Sequence, residues 1–197
     1  PYGVANQDGM PDHGEAMVIL DTAWANGVRT FDTARAYGEA EARIGAWIKS
    51  RGHRPFIVTK TGSAIRDDMV QSMSNLGVSF LDGLMMHNAR EFSVPGAADT
   101  LGQLVQDGLI GGFGVSAYQV EDVDAALAIP GLSLVQIPFN LFDRRMEISG
   151  VLACCMAAGV TVFSRSVFLQ GLLFLDPETL PGHLAEAAGP LRNLRAF

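Results

Sequence analysis

Cysteine is scarce in this chain: two among 197 residues, Cys154 and Cys155, adjacent in a helix-like segment. Neighbouring cysteines rarely pair and no Cys/His cluster has metal-ligand spacing, so neither a disulfide framework nor a metal site organises the fold. Both thiols are expected to be buried and structural. Basic charge is also short, with 14 Lys and Arg against 21 Asp and Glu and a formal net charge of −7. That balance argues against nucleic acid or an anionic membrane as the main partner, and leaves room only for a local basic pocket. No apolar run approaches the roughly 18–20 residues of a membrane span, and the first residues show no leader pattern. A soluble cytoplasmic protein is the expectation.

What is present is apolar material, 48% of residues with a mean hydropathy of +0.21. That is enough for a core, and residues 1–197 are expected to form a single domain. Its periodicity alternates regularly. Asp12 with Glu15 reads as a helix start, and Ala16, Ile19, Leu20, Ala23 and Trp24 form a face of period 3.6 that ends at Gly27. Strand-like VRTF follows. A helix carries Ile44, Trp47 and Ile48 and stops at Gly52, before FIVT. Ser63 is placed to cap a helix bearing Met69, Met73 and Leu76, closed by Gly77 and followed by LDGLMM. Leu101, Leu104 and Val105 mark a helix ending at Gly108, then GFGVS, with Gly111 and Gly112 as a turn. Residues 120–128 read as a helix before LSLVQI, and residues 148–158 as another before VTVFS. Residues 184–197 look helical.

Six short strands alternating with helices predict a parallel sheet with right-handed crossovers. The near-uniform units favour an α/β barrel of the (β/α)8 TIM type over a doubly wound sheet, with about six of eight strands represented. A six-strand chain leaves two sheet edges unpaired, so the native protein is expected to be longer.

Asp32, Lys60 and His87 each stand at the C-terminal end of a strand-like run, and Tyr37 lies in the loop after the first of these. In a parallel α/β fold those ends converge on one rim, where sites are built. A carboxylate, an ammonium, an imidazole and a phenol together make a proton-transfer set. The ammonium stabilises a phenolate and makes tyrosine a better acid, and the ensemble can protonate a carbonyl oxygen as it becomes an alkoxide. From spacing alone a second reading stays open: a structural Asp32–Lys60 ion pair, a surface Tyr37 and a strand-end His87. Trp24 and Trp47 are expected in the core, His13, His53 and His183 on the surface, and Arg144–Arg145 beside Asp143 in a solvated loop.

The run FDTARAYGEAEARIG resembles the aldo-keto reductase signature, and VTK, LMMH, GVSAY, VQIPFNLFDRR and VFSRSVFLQGLL follow in that family's order. The resemblance covers essentially the whole chain. It implies an eight-stranded barrel using NADPH or NADH without a Rossmann domain, in keeping with the lack of any GxGxxG. It implies Tyr37 as general acid, Asp32 and Lys60 as its tuning pair and His87 as the orienting hydrogen-bond donor. Ser116 and Gln136 match residues that hold the nicotinamide carboxamide. Ser166, Phe168 and Gln170 fall where a loop lines the cofactor pyrophosphate. Two positions depart from the pattern: Ala117 stands where Asn is usual, and Arg165 where an aromatic commonly stacks on the nicotinamide. The resemblance also implies that the first strand precedes Pro1, with PYGVANQDG as the loop after it, and that the eighth strand follows Phe197. The stretch from Lys60 to His87 is short for the family. The implied activity is reduction of a small aldehyde or ketone, with a homo-oligomer as a further possibility. A non-redox isomerase, epimerase or dehydratase on the same fold, and a non-catalytic cofactor-sensing module, are the alternatives.

Overall fold

The computed structural model describes residues 9–196. The PYGVANQDG segment therefore lies outside the described residues apart from Gly9. Six strands form one parallel sheet in which each pairs with the strand before it: β1 (Thr30–Asp32), β2 (Phe56–Thr61), β3 (Gly83–Met86), β4 (Phe113–Ser116), β5 (Leu134–Pro138) and β6 (Thr161–Arg165). Helices fill the connections: α1 (His13–Ala25), α2 (Ala40–Arg51), α3 (Ile65–Leu76), α4 (Ala97–Gln106), α5 (Val120–Leu127), α6 (Arg145–Ile148), α7 (Val151–Ala157) and, after β6, α8 (Ala188–Arg195). Among the described residues no helix is long and apolar enough to cross a membrane.

Local chemistry explains most element ends. Asp12 Oδ1 accepts from the Glu15 N–H while the Glu15 carboxylate accepts from the Asp12 N–H, a reciprocal cap that starts α1. Gly52 and Gly77 end α2 and α3 in the left-handed conformation. Four expectations about the helices need correction. The α3 N-cap is Ala64, one residue beyond Ser63, with no side-chain cap. The helix expected over 148–158 is two helices, because Gly150 at φ 84° turns the chain between α6 and α7. Residues 182–187 form 3-10 turns before α8. Ile19 is 58% exposed, and Ala16 is the buried residue of α1.

Successive strand residues face opposite sides of the sheet. Ile57, Leu84, Met86, Val115, Val135 and Ile137 face outward and pack with the helices in the main core. Val58, Met85 and Leu134 face inward and touch one another, with Phe163 packed against them. Side chains from β2 and β5 meet there although two strands lie between them, so the sheet is curled into a partial barrel. Close approach requires glycine at β4: a Cβ on Gly114 would lie 1.8 Å from the Leu134 carbonyl oxygen. Of the two cysteines, Cys155 is buried as expected and Cys154 is exposed. Trp47 is buried and Trp24 half-buried. His53 is not a surface residue: it is half-buried, stacked 4.3 Å from Trp24 and 5.0 Å from Trp47.

Candidate active site

One step toward the C-terminal ends from that inner apolar layer, the same strand faces turn polar. Lys60 lies two residues after Val58, His87 two after Met85, Gln136 two after Leu134 and Arg165 two after Phe163. Strand alternation therefore delivers all four to the inner face of the rim, with Asp32 and Ser116 at the ends of β1 and β4.

Lys60 is 1% exposed. Its Nζ donates to Asp32 Oδ1 at 2.6 Å and to the Thr33 carbonyl at 2.9 Å. Burial pulls the Lys60 ammonium below its ordinary range, and Asp32 acts against that pull. The other Asp32 oxygen accepts from Gln136 Nε2 at 3.0 Å, and Ser116 Oγ donates to Gln136 Oε1 at 3.3 Å. A continuous chain of polar contacts thus runs from Ser116 through Gln136 and Asp32 to Lys60.

Tyr37 is presented by a tight turn, its N–H donating to the Ala34 carbonyl at 2.9 Å. Its ring stands 5.1 Å from Lys60 Nζ and meets the His87 ring edge-on, with centroids 5.7 Å apart and planes at 83°. At 44% exposure the ring borders solvent. The His87 N–H is held by the Thr61 carbonyl at 2.9 Å. Burial, and then the Lys60 charge, push the His87 imidazole below 6.5 against the opposing Glu91 and Asp32 charges. At neutral pH it is therefore uncharged, with one ring N–H to donate.

A cleft of about 740 Å³ opens beside these groups, lined among others by Arg35, His87, Arg90, Tyr118 and Gln119. Arg35 Nε pairs with Asp68 at 2.9 Å. On the β6 side the backbone is strained, with Ser166, Leu169 and Gln170 at φ 57°, 48° and 55°. Phe168 is exposed and packs on Phe174, with centroids 5.1 Å apart. Asp32, Tyr37, Lys60, His87, Ser116 and Gln136 are thus brought together, and Ser166, Phe168 and Gln170 lie on a separate loop at the same end of the sheet. Sequence reasoning did not find the Thr33 carbonyl as a Lys60 partner, nor Tyr118 as the ring beneath the Arg165 guanidinium, Cζ 3.7 Å from its centroid. Arg144 and Arg145 pair with Glu147 at 2.7 Å and Asp143 at 3.2 Å and are solvated as expected, but Arg145 opens α6 rather than lying in a loop.

The family model described as Aldo/keto reductase family matches residues 2–183. The chain is 27% identical over 187 residues to the aldo-keto reductase str7 of Strobilurus tenacellus, covering 87% of this chain and 54% of that protein. It is 27% identical over 184 residues to the aldo-keto reductase YhdN of Bacillus subtilis, covering 84% of this chain and 55% of the relative. The chain thus spans about half the length of these curated relatives. The solved aldo-keto reductase of Bacillus halodurans in its holo form superimposes with a TM-score of 0.76 at 22% identity, over 87% of this chain and 62% of that one, a likeness of fold.

Proposed function

The chain belongs to the aldo/keto reductase family, and from that premise we propose that it serves the reduction of an aldehyde or ketone to an alcohol, with Tyr37 as general acid and NADPH or NADH as reductant. The observation that carries the reading is the convergence of Tyr37, His87 and the Lys60–Asp32 pair on one rim.

The chemistry of the donor set fits a nicotinamide dinucleotide. Ser116 and Gln136 are buried and offer hydroxyl and amide groups complementary to a carboxamide. Arg165 presents a flat guanidinium where a ring platform is needed, and the strained loop carrying Ser166, Phe168 and Gln170 would line the phosphates. When bound, the cofactor supplies the hydride. The chain's own residues handle the proton. Lys60, held by Asp32, presents its charge to the Tyr37 ring and favours the phenolate left after the proton has gone to the substrate oxygen. Neutral His87 donates a hydrogen bond to that oxygen and orients it. A cytoplasmic location belongs to the same proposal.

The test mixes the protein with NADPH and a panel of carbonyl compounds. Tyr37→Phe should lower turnover by about 10²–10⁴-fold while NADPH binding persists. Turnover in that variant equal to the wild type would sink the assignment. Conversion of substrate without NADPH consumption would point to the isomerase class instead.

A further inference from the structure

Charge on the inner polar layer does not balance. Lys60 is matched by Asp32 and His87 is neutral, yet Arg165 brings a further positive charge to the same face. It is near enough to both Lys60 and His87 for its charge to act against their protonation. Arg165 Nε and Nη2 are buried and have no hydrogen-bond partner among the described residues. Those two donors form the edge by which a guanidinium takes a carboxylate in parallel. The chain uses that edge elsewhere: Arg51 Nε and Nη2 donate to the two Asp21 oxygens at 3.0 and 2.7 Å.

The plane of the Arg165 guanidinium is set by Tyr118, which follows β4 and reaches over the end of β5 to stack on it at 3.7 Å. Three of the carboxylates around the cleft are committed, and the fourth, Glu91, keeps a buried oxygen free but makes no ion pair with Arg165 among the described residues. Asp32 accepts from Lys60 and Gln136, Asp122 accepts from the Tyr118 and Gln119 N–H groups, and Asp68 pairs with Arg35. A buried guanidinium edge with no acceptor among the described residues is costly to keep, and that cost points to an acceptor carried by a ligand.

We propose that the Nε/Nη2 edge of Arg165 binds a carboxylate carried by the carbonyl substrate, so that the site selects oxo acids over neutral aldehydes and ketones. The assignment rests on the carbonyl-reduction reading and adds the substrate class. Tyr118 covers one face of the guanidinium, and the edge reads the acid. A cofactor phosphate offers the same oxyanion chemistry, and the experiment separates the two sources.

Binding of 2-oxobutanoate and of its neutral methyl ester is measured by calorimetry, and NADPH affinity by fluorescence, on wild type, Arg165→Tyr and Arg165→Lys. Thermal melts establish that each variant is folded. The wild type should prefer the acid by about tenfold or more. Arg165→Tyr removes the edge and should abolish that preference, whatever it does to NADPH affinity. Arg165→Lys keeps the charge without the fork and should show an intermediate ratio. Equal binding of acid and ester by the wild type overturns the proposal, as does an acid preference that survives Arg165→Tyr. A loss of NADPH affinity in Arg165→Tyr with the acid preference intact assigns the edge to a cofactor phosphate and overturns it too. Absence of NADPH binding by the wild type, together with an acid preference lost in Arg165→Tyr, supports the Arg165 assignment and counts against the reductase reading.

Discussion

The two sides of the rim are finished to different degrees. On the β1–β3 side the charges are matched within the protein: Lys60 has two acceptors, and both Asp32 oxygens are engaged. On the β4–β6 side Arg165 has a buried edge with no acceptor among the described residues, and the loop after it holds three non-glycine residues at positive φ. The first side also keeps loose atoms among the described residues, Thr33 Oγ1 and one oxygen of the Glu91 carboxylate, but its Lys60 cation is fully partnered. The difference separates two ways of building a site. Proton-transfer groups must be oriented before substrate arrives, because reorganising them later would raise the barrier. Groups that grip ligands are completed by what they bind.

Among the described residues one side-chain hydrogen bond joins the two sides at the level of the charged groups, Gln136 Nε2 to Asp32 Oδ2, and the comparison can be broken on either side of it. The largest effect is expected from Gly114→Ala. Its Cβ would meet the Leu134 backbone oxygen at 1.8 Å, and neither strand of the β4–β5 pair can yield without losing register. The variant should lose about 3 kcal/mol or more in urea denaturation, and with it Ser116 and Gln136 should leave their places. Unchanged stability would mean that β4 and β5 can separate to admit a methyl group. Next comes Gln136→Leu, which leaves Ser116 Oγ without its acceptor and Asp32 Oδ2 without its donor. A loss of about 1–3 kcal/mol is expected, because buried partners are left unsatisfied. A double-mutant cycle with Asp32→Asn should show coupling, and additive losses would mean that the sides are independent.

The same division governs what the sequence discloses. Asp32, Lys60 and His87 are legible because each closes a strand-like run, and parallel strands bring such ends together whatever the details of packing. The Asp12–Glu15 cap is legible because it is local. The Gln136–Asp32 contact is not, since it joins residues 104 apart and depends on the curl of the sheet. Tyr118 over Arg165 is hidden for the same reason: it spans from the end of β4 to the end of β6 across an intervening strand. The break between α6 and α7 escapes periodicity because one glycine at positive φ changes the chain's direction without changing its apolar pattern. His53 escapes because its partners, Trp24 and Trp47, come from two different helices.

A smaller effect, visible only in its pH dependence, tests whether His87 is uncharged. Its folded pKa lies below 6.5, so the unfolded chain takes up a proton that the folded chain refuses. Stability should therefore fall as pH drops below 6.5 and be indifferent to this group above it. His87→Gln should flatten that part of the profile of Tm against pH. A slope unchanged in the variant would assign the titration to another group.

The smallest effect belongs to the exposed counterpart of the Arg165 edge. Asp21 accepts from Arg51 and from Trp47 Nε1, and these contacts lower its pKa from 3.8 to about 2, the Arg51 hydrogen bond contributing most. The folded chain therefore holds this carboxylate ionised where the unfolded chain has begun to protonate it. The contribution to stability is complete above 3.8 and is lost as pH falls toward about 2. Asp21→Asn should remove that part of the acid limb and lower Tm only slightly at pH 7, because Arg51 and Asp21 are 44% and 40% exposed and water screens the pair. The same fork geometry in water and in the buried rim then gives a direct contrast. Arg51→Lys should be nearly silent, whereas Arg165→Lys should change ligand selection, since only the buried edge lacks water as a substitute acceptor. Comparable shifts from both lysine variants would remove burial as the reason for the difference.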